Sequence, residues 1–173
     1  MSLLDRLRRG RPPPEVASAM APHDRLLAWA PAADGFVVAS RLGLRLPDGR
    51  SVPWHTIDKA AWRAGRLTLT VAEEVSDGVL EALPPATYSL TEPRDLPAVV
   101  RGRVTHSVAY TSSHAVPGGG HVRVVARRVP GHDGLTWSLR IDPRTGKDDP
   151  SVRAAANQLL AEARGNFATT EPG

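Results

Sequence analysis

Cysteine is absent from this chain, which excludes disulfide staples, a thiol nucleophile and thiolate ligands for zinc or an iron–sulfur cluster. Lysine is nearly absent, since Lys59 and Lys147 are the two exceptions among 22 basic residues. Aromatic residues make up 5% of the sequence, too sparse for a base-stacking platform: Trp29, Trp54, Trp62 and Trp137 lie far apart and fit core or half-buried sheet positions. No stretch approaches the roughly 18 apolar residues that a membrane-spanning helix needs. Residues 1–14 carry Arg6, Arg8, Arg9 and Arg11 but no apolar run or small-residue cleavage site, so a secretory signal is not expected there. A reducing, cytoplasmic setting is the expectation.

What remains is ordinary globular material. The chain has 173 residues, 41% hydrophobic and 23% charged, with 15 Gly and 16 Pro. Its isoelectric point of 10.3 looks like that of a nucleic-acid binder, yet 22 basic residues face 18 acidic ones for a net charge of +4. The high value follows from composition, because arginine-rich chains without cysteine have almost nothing to titrate between neutral pH and the lysine range. The charge is spread along the chain, and no block of like sign tracks a phosphate backbone.

The pattern along the chain divides it into a Pro-rich basic segment (1–22), a strand-rich part (23–106), a meander with a helix (107–166) and a tail (167–173). Within the second part, strands are expected over 25–30, 35–40, 42–46, 51–54, 57–63, 66–72 and 87–90, separated by Asp34-Gly35, Pro47-Asp48-Gly49 and Ala64-Gly65. Glycine tolerates positive φ and proline presets a turn's first corner, so these are turn signals with a mechanism. Residues 77–85 are less regular and suggest a loop. Asp95 fits a helix cap, followed by Leu96, Val99, Val100 and Val104 on one face.

Three further strands follow, over 107–116, 121–129 and 135–141. Val122, Val124 and Ala126 share one face of the second, and Leu135, Trp137, Leu139 and Ile141 one face of the third. Matching these faces requires Ala126 across from Trp137 and Val124 across from Leu139, because a one-residue slip would turn one apolar set outward. The same register places Arg123 opposite Arg140 on the other, solvent-facing side, with Arg127 nearby. Asp149 then caps a helix with Pro150 at its first position and Val152, Ala155, Ala156, Leu159, Leu160 and Ala163 as an apolar stripe. That stripe should cover the meander's apolar face, with Phe167 completing the contact.

The succession from Arg25 to Val71 resembles bacterial pleckstrin-homology-like domains, through the strand Gly35 to Leu42, the Pro53-Trp54 pair followed by Ile57, and the strand ending Leu69 to Val71. The whole chain also resembles a group of small actinobacterial proteins through the VRVVARR strand at Val122 to Arg128 and the helix that opens at Asp149. The resemblance implies an α+β fold: a bent antiparallel sheet or partial barrel with a capping helix, plus an appended three-stranded meander packed on a C-terminal helix. It implies no activity. Phosphoinositide binding in such folds needs cations in the first hairpin loop, and Pro31 to Asp34 offers none.

Chemistry-bearing residues do not gather in sequence. Of six histidines, His114 and His121 could approach diagonally across the Gly118-Gly119-Gly120 turn, but two imidazoles make a poor zinc site without a third ligand. Ser113 and His114 resemble a nucleophile and its base, yet strand neighbours point to opposite faces. The triple glycine precedes a strand rather than a helix N-terminus, so it fits a hairpin turn and not a phosphate cradle. Asp142, Asp148 and Asp149 lack the spacing of a calcium loop. The feature kept as a candidate is the face with Arg123, Arg127 and Arg140, whose like charges are either screened by acids or meant for an anionic partner. The expectation is therefore a noncatalytic module without metal or cofactor that binds a protein partner by a groove or sheet edge. The alternatives are contact with an anionic membrane or nucleic acid through arginine clusters, or an enzyme whose site the sequence does not reveal.

Overall fold

A computed structural model describes residues 12–142, 145–146 and 148–168, with no side chain for 167 and 168. Arg6, Arg8, Arg9 and Arg11, and the side chain of Phe167, lie outside the described residues. After a single turn of helix α1 (Pro14–Ser18), four strands β1 (Leu26–Ala32), β2 (Gly35–Ser40), β3 (Gly43–Arg45) and β4 (Ser51–Pro53) form an antiparallel sheet in chain order. A 3-10 turn at Trp54–Thr56 leads into β5 (Ile57–Arg63), which pairs with β6 (Arg66–Ser76).

Strand β6 runs for 11 residues because it serves two neighbours in succession. Its first half pairs with β8 (Ala86–Ser89) and its second with β7 (Val79–Ala82). The loop expected over 77–85 is thus a correction: a tight turn at Gly78, with φ +70°, returns the chain as β7, and Pro84-Pro85 interrupts the ladder before β8. Leu90 bridges to Ala32, so the end of β8 meets β1 and the two sheets curl into a half-barrel. Helix α2 (Leu96–Ser107) closes that half-barrel, burying Leu96 and Val100 against a core that includes Val37, Leu44, Trp54, Ile57, Leu67 and Leu69. Asp95 stands at the cap position without making a side-chain cap bond, and Pro97 in the first turn sets the entry.

The meander consists of β9 (Val108–Val116), β10 (Gly120–Arg127) and β11 (Thr136–Ile141). The register between β10 and β11 is the one that phase requires: Ala126 faces Trp137, Val124 faces Leu139 and Arg123 faces Arg140. Beyond Arg127 and Thr136 the ladder stops, so both strands end short of the bounds expected, 129 and 135. At the other turn, Gly118 and Gly119 have φ of +86° and +85°, the conformation of a hairpin turn. A β-carbon at Gly120 would collide with the Thr145 side chain, whose hydroxyl accepts from the His121 N–H and donates to the His121 carbonyl, both at 3.1 Å.

Strand β11 also pairs in parallel with β7, so the sheet runs without a break from β5 to β9. Helix α3 (Pro150–Ala168) starts as expected: Asp149 Oδ1 accepts from the Ser151 N–H at 2.8 Å and from its hydroxyl at 2.7 Å, which holds the carboxyl below its usual range. Its stripe of Val152, Ala156 and Leu160 is buried on Val79, Val122, Val124, Leu139 and Ile141. Each large apolar side chain buried this way contributes about 1.5–3 kcal/mol. No helix among the described residues is long and apolar enough to cross a membrane.

Candidate functional site

The three arginines do not share a solvent-facing surface. The face of the meander turned away from α3 packs against the half-barrel at the Trp54–Thr56 turn and β5. Arg127 and Arg140 are there 5% and 3% exposed, while Arg123 at the rim is 51% exposed. This corrects the expectation of a wet arginine face. A polyanion approaching from solvent would meet Arg123 alone of the three.

Asp58, 8% exposed, is the counter-ion that the like-charged register demands. Its Oδ1 accepts from Arg140 Nε at 2.7 Å and lies 3.9 Å from Arg127, and its Oδ2 lies 3.7 Å from Arg123. A bulge in the β5–β6 ladder between Ile57 and Lys59 releases Asp58 from regular pairing. Arg140 Nη2 donates to the His55 carbonyl at 3.0 Å. Arg127 Nη1 donates to Ser107 Oγ at 2.8 Å, at the end of α2, and more weakly to the Trp54 carbonyl at 3.5 Å. Burial, helped by the Arg140 charge and opposed by Asp58, pulls the Arg127 guanidinium down to about 10, which still leaves it charged at neutral pH.

These bonds leave donors over. Among the described residues Arg127 Nε, Arg140 Nη1 and His55 Nδ1 are buried without a hydrogen-bond partner, and their residues line one cavity of about 140 Å³ with Glu74, Gly78 and Trp137. Glu74 Oε1 is engaged, accepting from the Gly78 N–H at 2.9 Å. Burial first, then the Arg140, Arg127 and His132 charges, push the His55 ring below the usual histidine range, so its neutral form is favoured.

A second concavity lies on the other side of β5. Ala60, Trp62 and Leu67 face Pro97, Val100 and Arg101 of α2 across a groove of about 430 Å³. The residue order explains it: on the core side of β5 the position before Trp62 is the small Ala60, which leaves a trough where a larger side chain would fill the gap. Trp62, paired with buried Leu67 and therefore on the core side of the strand, is 39% exposed at the trough's edge. The other three tryptophans are more covered, with Trp54 buried and donating to the Ser40 carbonyl at 2.9 Å. Among the described residues β5 has β6 as its one ladder partner, and α2 packs against it along the groove.

Other sequence candidates do not converge. His114 pairs with Val122 and His121 with Ala115, so the two imidazoles take opposite faces of the sheet and do not approach. Ser113 and His114 diverge as expected, whereas Ser112 shares His114's face, with its hydroxyl 2.8 Å from the ring Nε2. Among the described residues no group of three or more His, Asp or Glu could hold a metal ion. Comparison with family models, curated proteins and solved structures finds no match to this chain.

Sequence reasoning missed Asp58, His55 and Ser107. A signal for the first was present, since two arginines placed directly opposite each other require an acid. The strand phase does not say which one. The groove had no signal, because Trp62 and Arg101 are distant in sequence.

Proposed function

We propose that this protein is a noncatalytic binding module on a pleckstrin-homology-like scaffold, and that its partner is an extended acidic peptide segment laid along β5 in the groove against α2. The observation that carries the reading is the conjunction of an apolar trough with a strand that ends its sheet. A strand at the end of a sheet can accept an added strand, and the trough can take every second side chain of it. Exposed Trp62 supplies an aromatic anchor of the kind enriched at interface hot spots.

Charge selects the partner's chemistry. The charged residues of β5 and α2 are Asp58, Lys59, Arg63, Arg101 and Arg103, and the single acid among them is buried against Arg140. Arg101 lines the groove itself, and its charge favours an acidic segment and disfavours a basic one by like-charge repulsion.

The test pans a library of extended peptides with alternating apolar and acidic residues against the full chain, then measures selected peptides by Trp fluorescence and calorimetry. Selected peptides should bind more weakly as salt rises, and Trp62→Ala should weaken them by roughly tenfold or more, as an interface aromatic does. Selected peptides that bind Trp62→Ala and wild type equally would overturn the groove as the site.

A further inference from the structure

We propose that the cavity bounded by His55, Arg127 and Arg140, between the half-barrel and the meander, is a binding site for a compact tetrahedral oxyanion of the phosphate or sulfate type. The starting point is an energetic mismatch. Arginine is almost never fully buried unless paired, and each buried charged donor without a partner forfeits part of its hydration. Here two arginines are more than nine-tenths buried on facing strands, and one carboxylate, Asp58, stands between three guanidinium groups. Among the described residues Arg127 Nε, Arg140 Nη1 and His55 Nδ1 have no hydrogen-bond partner, and all three residues line the same cavity.

The arrangement differs from an ordinary structural ion-pair network in where its surplus lies. Arg127, Arg140 and the rim Arg123 surround Asp58, and Glu74, the acid that lines the cavity, is held by the Gly78 N–H. A structural network would bring a second acid to the free N–H groups. Among the described residues no acid is bonded to Arg127 Nε or Arg140 Nη1, and the two arginines line the open volume. Guanidinium N–H groups match an oxyanion's oxygens in direction as well as charge. His55 Nδ1 can serve a third oxygen by donating to it, or by accepting from it when that oxygen is protonated.

Size narrows the class. At about 140 Å³ the cavity falls well below the roughly 300 Å³ at which sites for drug-sized ligands begin, so it encloses a group of phosphate size and not a whole nucleotide. A free tetrahedral oxyanion does, with room for a water at about 30 Å³. The site is also separate from the first hairpin loop, Pro31 to Asp34, which carries no basic residue. The ligand would bridge the Trp54–Thr56 turn of the half-barrel to β10 and β11 of the meander, and so stiffen the joint between them.

The test titrates the full chain with inorganic phosphate and with sulfate, and with sodium chloride at matched ionic strength. Thermal stability and the ring signals of His55 are followed together. Phosphate, sulfate or both should raise the melting temperature saturably beyond the chloride control and shift His55 more than the other five histidines. Arg140→Gln, checked for folding by its spectrum, should weaken the response by roughly tenfold or more, since a hydrogen bond to a charged group is lost. If sulfate acts as well as phosphate, His55 donates; if phosphate alone acts, His55 accepts from a protonated oxygen, and both outcomes support the site. Stabilisation no greater than that from chloride, or a phosphate effect that leaves the wild-type His55 signals in place, overturns it. Trp62→Ala should leave the oxyanion response unchanged, which keeps this result separate from that of the peptide groove.

Discussion

The two faces of the meander are buried to similar extents by opposite means. Toward α3 the contact is made by Val122, Val124, Leu139 and Ile141 against Val152, Ala156 and Leu160, with no charge among them. Toward the half-barrel, strands of the same sheet present Arg123, Val125, Arg127, Ser138 and Arg140. Apolar burial is non-directional, and its free energy follows area. A buried ionic contact is stabilising only with good geometry, and removing one partner costs far more than removing the whole set. The first face therefore resists changes of charge and tolerates conservative changes of shape. The second resists loss of any one member and has capacity to spare for a ligand.

The comparison breaks most sharply at Asp58. Asp58→Ala strands Arg127 and Arg140 without their counter-ion and should lower stability by about 3–5 kcal/mol, read from urea unfolding. In Asp58→Asn combined with Arg140→Met, the loss should be clearly smaller than the sum of the two single losses, because the double variant removes charge and partner together. An additive result would mean that Asp58 acts independently of Arg140.

On the opposite face, Leu139→Ala should cost about 2–5 kcal/mol through lost transfer energy and the cavity left behind. Its cost should not change between low and high salt, whereas the Asp58→Ala cost should involve the rim arginine, Arg123, which salt screens.

The smallest expected effect is a pH dependence. The folded state lowers the His55 pKa, so the unfolded chain, near 6.5, binds the proton more readily. Stability from the neutral ring is fully present above about pH 6.5 and is lost as pH falls below that value toward the lower folded pKa. Urea midpoints should drop more steeply from about pH 6.5 to 5 in wild type than in His55→Gln. Parallel curves would remove His55 from the network.

Much of the meander was legible in the sequence. Its register followed from matching alternating apolar sets, and α3 was readable from Asp149, Pro150 and the spacing of Val152, Ala156 and Leu160. The stretch over 77–85 misled because Gly78 and Pro84-Pro85 are turn signals at both ends of a strand only four residues long, and pairing with β6 and β11 is what makes it a strand. The arginine face misled in the same way. Alternation assigns residues to two faces but says nothing about what covers each, and the cover here comes from His55 and Asp58, more than 60 residues earlier.

Local periodicity and turn chemistry settled the strands other than β7, the last helix and the phase of the final hairpin, because those depend on residues a few positions apart. Only the folded chain decided that Arg127 and Arg140 lie inside rather than out, that Asp58 answers them, and that donors are left facing a cavity. Such facts arise where distant segments meet, and the free energy of a buried charge is set by neighbours that spacing along the chain does not encode.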